Sequence, residues 1–241
     1  MKTKLFFIAM SLLALVGCDI HTPIEMDEHP SDITFGTFKD TRDGYTYKTV
    51  TIGGQTWMAE NLRYCPNEAI TDTRIRSSYD PYYYIYTSID EYDTKKNFEK
   101  YGIIYNYKAA MKAAPDGWRL PTSGDFYELM STVRNMKGCY NDYDLMLMLM
   151  APEDLVWDVE KNFPYVNSSG FSGRYCRHYV TPWSWETYGR FYSSTDMEYW
   201  IDDNYLTGCR TFRIYGGTDS YLNGTEANEA SDGYPIRCIK K

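Results

Sequence analysis

The segment APDGWRLPTSGDFYELM, residues 114–130, restricts the fold more than any other part of this sequence. Asp116-Gly117 is a turn signal. Pro121 biases the residue before it toward an extended backbone, so the piece that begins at Trp118 is predicted to be a short strand. A chain that contains this segment must turn sharply and carry a buried tryptophan beside the turn.

The residues after Pro121 predict a helix that begins at once. Thr122, or alternatively Ser123, caps the helix, and Asp125 completes a loose capping box. Apolar side chains then recur at the spacing of one helix face: Phe126, Leu129, Met130 and Val133. The whole segment is therefore a strand, a turn and a capped amphipathic helix, and nothing in it requires a catalytic role.

A second segment, DGYTYKTVTIGGQTWMAENL at residues 43–62, predicts a β-hairpin. Tyrosine and threonine alternate with Val50 and Ile52, which is the period of a strand. Gly53-Gly54 supplies the positive φ that a two-residue turn needs. The strand that returns from the turn is expected to bury Trp57.

The remaining segments are shorter. Residues 64–100 predict a tyrosine-dense insertion with a strand at Tyr82–Tyr86, and Asn106 to Ala114 predicts a helix that Pro115 stops. The apolar run DLMLMLM is compatible with a helix or a strand. Four later segments predict strands bounded by turn residues: GFSGRYCRHYV, RFYSSTDM, GCRTFRIYGG and YPIRCIKK.

The N-terminus predicts export and lipid attachment. Lys2 and Lys4 precede an apolar run from Leu5 to Val16, which is too short to span a bilayer but suits a secretory signal. The run ends in LVGC, which resembles the lipobox of bacterial lipoproteins and makes Cys18 the expected lipidation site; a plain secretion signal is the alternative. We expect a signal peptide at 1–17, a polar lipidated tether at 18–33 and one folded domain at 34–241.

Charge and cysteine content restrict partners and compartment. The formal net charge is −8, and cleavage before Cys18 makes it more negative by two, so nucleic acid is a poor partner. The lipid is the expected membrane contact, because no later segment is long and apolar enough to span. Disulfides are permitted outside the inner membrane. Five cysteines remain and their pairing cannot be deduced from sequence, although Cys209 with Cys238 is the preferred pair.

Taken together, the hairpin, the segment YGIIYNYKAAMKAAPDGWRLPTSGDFYEL, and the later GFSGRY, FYSST and YPIRCIKK resemble the Fibrobacter succinogenes major paralogous domain family. The resemblance covers about residues 35–241. It implies an α+β domain similar to C-type lectins and sulfatase-modifying factors, with two helices beside a twisted antiparallel sheet and long loops. Two positions depart from the family pattern: Ala114 replaces a cysteine and Tyr192 replaces a tryptophan. The first departure puts any family disulfide at that corner in doubt.

The sequence offers little support for a known metal-binding or catalytic site. The Pro-containing calcium loop of sugar-binding C-type lectins is missing, and the acidic stretch YWIDDN at 199–204 offers at most three carboxylate or amide side chains. Cys176 and His178 have no second pair to complete a zinc site. A hydrolase built on a serine or cysteine nucleophile would have His178 as its histidine, the only one in the predicted domain. We therefore expect no metal, no cofactor and no catalytic residues.

The sequence is unusually rich in aromatic residues, which make up 17% of the chain. Exposed tyrosine and tryptophan rings pack on sugars and on proteins. For Tyr82–Tyr86, packing in an edge strand and ligand binding stay equally open. The segment TPWSWETYG at 181–189 favours a binding loop. The predicted ligand-binding residues are Trp183, Trp185, Tyr188, Trp200, Asp202, Asp203 and Asn204.

The sequence thus predicts a lipid-anchored recognition module of the bacterial cell envelope, on the outer membrane or cell surface rather than the inner membrane. Its expected partner is a glycan or, second, a surface protein. Two alternatives remain. One is an envelope enzyme, either a cysteine-dependent oxidase that uses Cys209 and Cys238 or a carbohydrate hydrolase with paired carboxylates. The other is a purely structural surface protein.

Overall fold

A computed structural model of the chain describes nine ranges of residues. These are 33–66, 78–86, 93–155, 162–175, 177–180, 190–193, 197–203, 208–215 and 224–241. Helices and strands alternate irregularly along these ranges, and all the strand pairs inside the three sheets are antiparallel. The fold class is therefore α+β, as the sequence predicts.

Strands make up most of the regular structure. In chain order they are β1 (Ile33–Lys39), β2 (Thr46–Ile52), β3 (Gln55–Met58), β4 (Tyr83–Tyr84), β5 (Ile104–Asn106), β6 (Trp118–Arg119), β7 (Arg177–Val180), β8 (Arg190–Ser193), β9 (Met197–Ile201), β10 (Cys209–Ile214), β11 (Gly224–Asn228), β12 (Gly233–Tyr234) and β13 (Ile239–Lys240). They form one five-stranded sheet in the order β1-β2-β3-β13-β6, another in the order β4-β5-β12-β7-β8, and a three-stranded sheet in the order β11-β10-β9.

The described residues contain four α-helices, two more than the resemblance implies. They are α1 (Thr94–Tyr101), α2 (Tyr107–Ala113), α3 (Ser123–Arg134) and α4 (Asp142–Leu149). The apolar run DLMLMLM is helical, because Asn141 caps its start through a hydrogen bond from the Asp144 amide and all residues from Leu145 to Leu149 are buried. A helix buried on every side has no amphipathic period, so its sequence pattern alone leaves helix and strand open.

The predicted hairpin is confirmed, and it lies at the centre of the molecule. Val50 pairs with Trp57 across the two-glycine turn, and both side chains are fully buried. Tyr47, on the opposite face of β2, is also fully buried. Both faces are covered because one hydrophobic cluster packs on the Val50 side and a second packs on the Tyr47 side.

The corner at residues 114–130 is built as predicted. Thr122 accepts a hydrogen bond from the Asp125 amide, and the Asp125 carboxylate accepts one from the Thr122 amide, which completes the capping box. Arg119 adds a bidentate pair to the same carboxylate, with distances of 2.6 and 2.8 Å. The helix buries the expected face: Phe126, Leu129, Met130 and Val133.

The tyrosines of the insertion divide between packing and exposure. Tyr84 is fully buried and Tyr86 nearly so, while Tyr82 and Tyr83 are half-buried. Tyr83 and Tyr84 form the edge strand β4, which pairs with β5. Packing in this edge strand explains the burial of Tyr84, whereas Tyr86 packs on Tyr101 with a centroid distance of 5.8 Å. The half-buried pair keeps some accessible surface, and Tyr79 of the same insertion is 87% exposed.

Candidate functional site

The described part of the predicted ligand site is the end of β9, where Asp202 and Asp203 leave the sheet. The Asp202 amide donates to the Pro121 carbonyl at 2.9 Å. The Ser123 amide donates to Asp203 Oδ1 at 2.7 Å. These two bonds join the end of β9 to the turn before α3 and to the first residue of α3. The acidic pair therefore has a fixed position beside a helix N-terminus, which favours negative charge.

Trp200 is not a binding residue, and this prediction was wrong. Its side chain is fully buried, and its indole Nε1 donates to the Tyr105 carbonyl at 2.7 Å. Its ring packs between Tyr107 and Tyr234, with centroid distances of 5.4 and 5.0 Å. The reason is that every residue of β9 is buried, so strand alternation gives neither face of β9 to solvent.

Tyr107 takes the place that Trp200 was expected to fill. Its ring is half-buried, and it packs on Trp200. Burial raises the pKa of the Tyr107 phenol, and the nearby Cys209, Asp202 and Asp203 raise it further, so the hydroxyl remains protonated at neutral pH. An aromatic ring with a hydroxyl donor thus lies close enough to two carboxylates for their charges to act on it. We refer to Tyr107, Asp202 and Asp203 as the carboxylate corner.

Asp202 and Asp203 differ from several other acids that are fixed in the structure. Within the described ranges neither of them forms an ion pair with a basic side chain, and Asp203 Oδ2 is buried without a hydrogen-bond partner. Several other acids with low exposure are paired with a lysine or arginine: Asp40, Asp125, Asp154 and Glu198.

Arg119 is near Asp202 without neutralising it. The hydrogen bonds from Arg119 to Asp125 raise the pKa of Arg119, and Asp202 makes a smaller contribution in the same direction. Burial alone would raise the pKa of Asp125, but the bonds from Arg119 and Thr122 outweigh it and hold that pKa below its ordinary value. Because Asp125 occupies the guanidinium, the corner keeps its negative charge and its acceptor oxygens.

Five predicted residues lie outside the described ranges. They are Cys18, the expected lipidation site, and four of the expected ligand-binding residues: Trp183, Trp185, Tyr188 and Asn204. Asn204 directly follows Asp203 in the chain, so Asp202 and Asp203 are the described part of the predicted site that remains once Trp200 is excluded.

The predicted disulfide between Cys209 and Cys238 is wrong. Both residues are buried thiols, and no bond joins them. The two segments do read as strands, but they enter different sheets: Cys209 begins β10 of the three-stranded sheet, while the Cys238 carbonyl accepts from the Met58 amide beside β13. Both segments lie late in the chain and resemble strands, but these properties do not show which sheet each strand joins.

These two thiols are poor nucleophiles. Burial raises the pKa of Cys209 to about 11, with Glu229 adding to the effect. Burial raises the pKa of Cys238 to about 12. The thiolate is the reactive species, so both groups are almost entirely protonated at neutral pH. They do not supply the activated thiol that a cysteine-dependent oxidase requires.

We expect Cys209 and Cys238 in the native protein to react with iodoacetamide at pH 8 more than about a hundredfold more slowly than in denaturant, because the thiolate fraction falls about tenfold per unit of pKa. Mass spectrometry of time points identifies each labelled cysteine. The half-buried Cys139 serves as an internal comparison. Rapid native labelling of either residue would restore the thiol-based enzyme as a candidate.

The described residues show neither a metal-binding cluster nor a membrane-spanning helix. They contain no group of three or more histidine, cysteine or acidic side chains arranged to hold a metal ion. Among them, no helix has both the length and the apolar character that a membrane crossing needs.

Sequence reasoning missed two parts of this region. The sequence places Tyr107 only in a helix, and the structure shows it half-buried as the first residue of α2, directly after the cap residue Asn106. The sequence presents Ser123 only as an alternative capping residue, yet its amide donates to the Asp203 carboxylate. The available signal was the helix N-terminus itself, whose first amides lack partners inside the helix and therefore attract a carboxylate.

Comparison with known proteins identifies the family. The sequence model of the Fibrobacter succinogenes major domain matches residues 50–240. The chain therefore belongs to this family, as the motifs predict. No curated protein and no solved structure matches the chain.

Proposed function

We propose that this chain is a non-catalytic recognition module of the bacterial cell envelope that binds a glycan or another surface polymer. The observation that carries the proposal is the carboxylate corner, where two carboxylates without ion pairs lie beside a half-buried tyrosine ring. Aromatic rings accept the C–H faces of sugars, and carboxylate oxygens accept hydrogen bonds from hydroxyl groups.

The position of the corner supports the same function. It lies where β9 ends, and the next residue predicted to bind, Asn204, follows immediately in the chain. The loop that carries Trp183, Trp185 and Tyr188 is expected to add stacking rings. A site that combines a few fixed polar groups with aromatic surface has the composition of a small-molecule or oligosaccharide site.

The properties of the thiols and acids weigh against the enzymatic alternatives. Cys209 and Cys238 are separate, buried and protonated at neutral pH. The acids with low exposure that are paired with bases join elements of the fold to one another, as Asp154 does with Lys100 and Arg174. A surface protein is the second candidate partner, because tyrosine-rich surfaces also suit protein recognition.

The proposed location rests on the N-terminal sequence. Cys18 would carry acyl chains, and several chains on one cysteine give a durable membrane anchor. The polar residues 19–32 would then hold the domain away from the bilayer. We place the protein on the outer membrane or the cell surface.

The test is a glycan array probed with the full chain and with the double variant Asp202→Asn/Asp203→Asn. Asparagine preserves the shape of both side chains and keeps an acceptor for the Ser123 amide, but it removes the charge. We expect at least about a tenfold loss of affinity, since hydrogen bonds to a charged group contribute about 1.5–3 kcal/mol. Trp183→Ala and Trp185→Ala should also abolish binding while leaving the melting temperature nearly unchanged.

Asp116→Asn is the matched control, because Asp116 is exposed on the turn before Trp118. It should bind like the unaltered chain. Failure of the array to retain the protein, or unchanged binding by the double variant, would reject the glycan site. Release of reducing sugar from a retained glycan would indicate the hydrolase instead.

A further inference from the structure

The strand β1 is the longest edge strand in the described residues, and it has only one partner there. It forms a continuous antiparallel register with β2 from Ile33 opposite Ile52 to Lys39 opposite Thr46, without a bulge. Five of its seven residues are exposed. Natural proteins usually shield such edges with proline, bulges or inward charges, and β1 has none of these.

The phase of the β1–β2 ladder shows which amides face outward. The Asp40 amide donates to the Tyr45 carbonyl at 2.8 Å, which makes Asp40 and Tyr45 a hydrogen-bonded pair. Hydrogen-bonded and non-hydrogen-bonded pairs alternate along an antiparallel ladder. Phe38 and Gly36 therefore direct their backbone groups to β2, while Thr37 and Lys39 direct theirs away from it.

We propose that β1 pairs antiparallel with β1 of a second copy of this chain, about a two-fold axis at Thr37. Thr37 of each copy then exchanges two backbone hydrogen bonds with its counterpart, and cross-strand threonine pairs are favourable. The five-stranded sheet continues across the axis into the sheet of the second copy. Two-fold dimers of this kind are the commonest assemblies of identical chains.

The side chains of β1 are complementary to themselves in this register. Phe38 lies opposite Gly36 of the second copy, so an aromatic ring covers a glycine that has no side chain of its own. Lys39 lies opposite Phe35, whose side chain is 57% exposed, and an ammonium group next to a ring is attractive. The two Lys39 residues are about 14 Å apart, four residues along the strand direction, so like charges do not meet.

The interface is small, so the dimer is expected to be weak and dependent on concentration. The net charge of −8 on each chain opposes association. Salt screens this repulsion, and the dimer fraction should therefore rise with ionic strength. A dimer held by surface ion pairs would show the opposite dependence.

Cysteine cross-linking of the full chain tests the register. Thr37→Cys places two sulfur atoms across a hydrogen-bonded pair whose Cα atoms are about 5.5 Å apart, within the range of a disulfide. Under mild oxidation we expect a covalent dimer linked through position 37. Lys39→Cys is the matched control and should not cross-link to itself at a separation of about 14 Å. Peptide mapping separates these links from any formed by the native cysteines.

Sedimentation velocity of the purified full chain in detergent tests the dimer without cross-links. Thr37→Pro removes the outward amide and leaves the β2 ladder intact, so the dimer dissociation constant should rise by at least about tenfold. Thr37→Val keeps the amide and should dimerise normally. Thr37→Lys gives a second disrupted edge if the proline variant does not fold.

Two results would overturn the proposal. One is a monomer at every concentration and salt level, with no cross-link at position 37. The other is a dimer that Thr37→Pro and Thr37→Lys both leave intact. Neither result bears on glycan binding at the carboxylate corner, which involves other residues.

Discussion

Replacing Arg237 by methionine is expected to lower the free energy of unfolding by more than about 3 kcal/mol, because several buried acceptors lose a charged donor at once. Arg237 is fully buried, and its guanidinium donates to neutral oxygens only: Met58 O at 3.3 Å, Phe171 O at 2.8 Å, Asn61 Oδ1 at 2.7 Å, Ser172 O at 3.1 Å and Tyr199 OH at 3.4 Å. Denaturant unfolding monitored by circular dichroism measures the change.

The environment of Arg237 explains why the effect should be large. No carboxylate among the described residues pairs with it, and burial lowers its pKa. The ring of Phe171 lies 4.8 Å from the guanidinium carbon and that of Tyr199 lies 5.5 Å from it. The side chain thus joins β3, β9 and the segment around Phe171 through one planar group.

Two further variants make this expectation specific. Arg237→Lys should lose most of the same stability, since an ammonium group has three donors on one atom and does not reach acceptors arranged around a planar fork. Arg134→Met is the matched control, because Arg134 forms an exposed pair with Asp142 and should contribute less than about 1 kcal/mol. Stability within 1 kcal/mol of the original for Arg237→Met would contradict the structural role, given the usual cost of about 1–3 kcal/mol for each orphaned buried group.

Trp200→Ala is the second change with a large expected effect. We expect a loss of about 3–5 kcal/mol, the usual cost of removing a fully buried tryptophan from a core. The substitution leaves a cavity between Tyr107 and Tyr234, and it removes the donor to the Tyr105 carbonyl. Thermal or denaturant unfolding measures this loss of stability.

Tyr140→Ala is the matched aromatic control, because 86% of the Tyr140 side chain is exposed. Its stability should stay within about 0.5 kcal/mol of the original. Trp200→Phe keeps the ring and should recover a large part of the loss. If Trp200→Ala melts like the unaltered protein, the ring is not part of the core and its earlier assignment to the ligand site returns.

Local signals in the sequence predicted local structure well. The two-glycine turn of the hairpin and the capping box of α3 depend on residues within a few positions of each other, and both are confirmed. The period of the buried face of α3 was readable for the same reason. The long hairpin motif also identified the family.

Long-range pairing explains the errors. Trp200 stands beside acids in an apparently polar stretch, but β9 is covered on both faces by elements distant in the chain. Cys209 and Cys238 occur in similar short strands, and only the sheet order separates them. α4 was ambiguous because a helix buried on all sides shows no amphipathic pattern.

The candidate site was predictable in part. Asp202 and Asp203 were found from composition, but Tyr107 lies about a hundred residues before them in the chain, and only the fold brings it to their side. That Arg119 stays paired with Asp125 and leaves these acids with their charge is likewise a tertiary fact.

The amino-acid sequence alone determined the fold class, the family, the hairpin and the capped corner, because each depends on contacts between near neighbours or on a motif of fixed spacing. Only the tertiary structure decided which aromatic rings are buried, which thiols are apart and which of the described acids lack an ion pair. Those properties depend on which distant strands become neighbours, and strand order is set by the packing of two cores on the faces of one sheet.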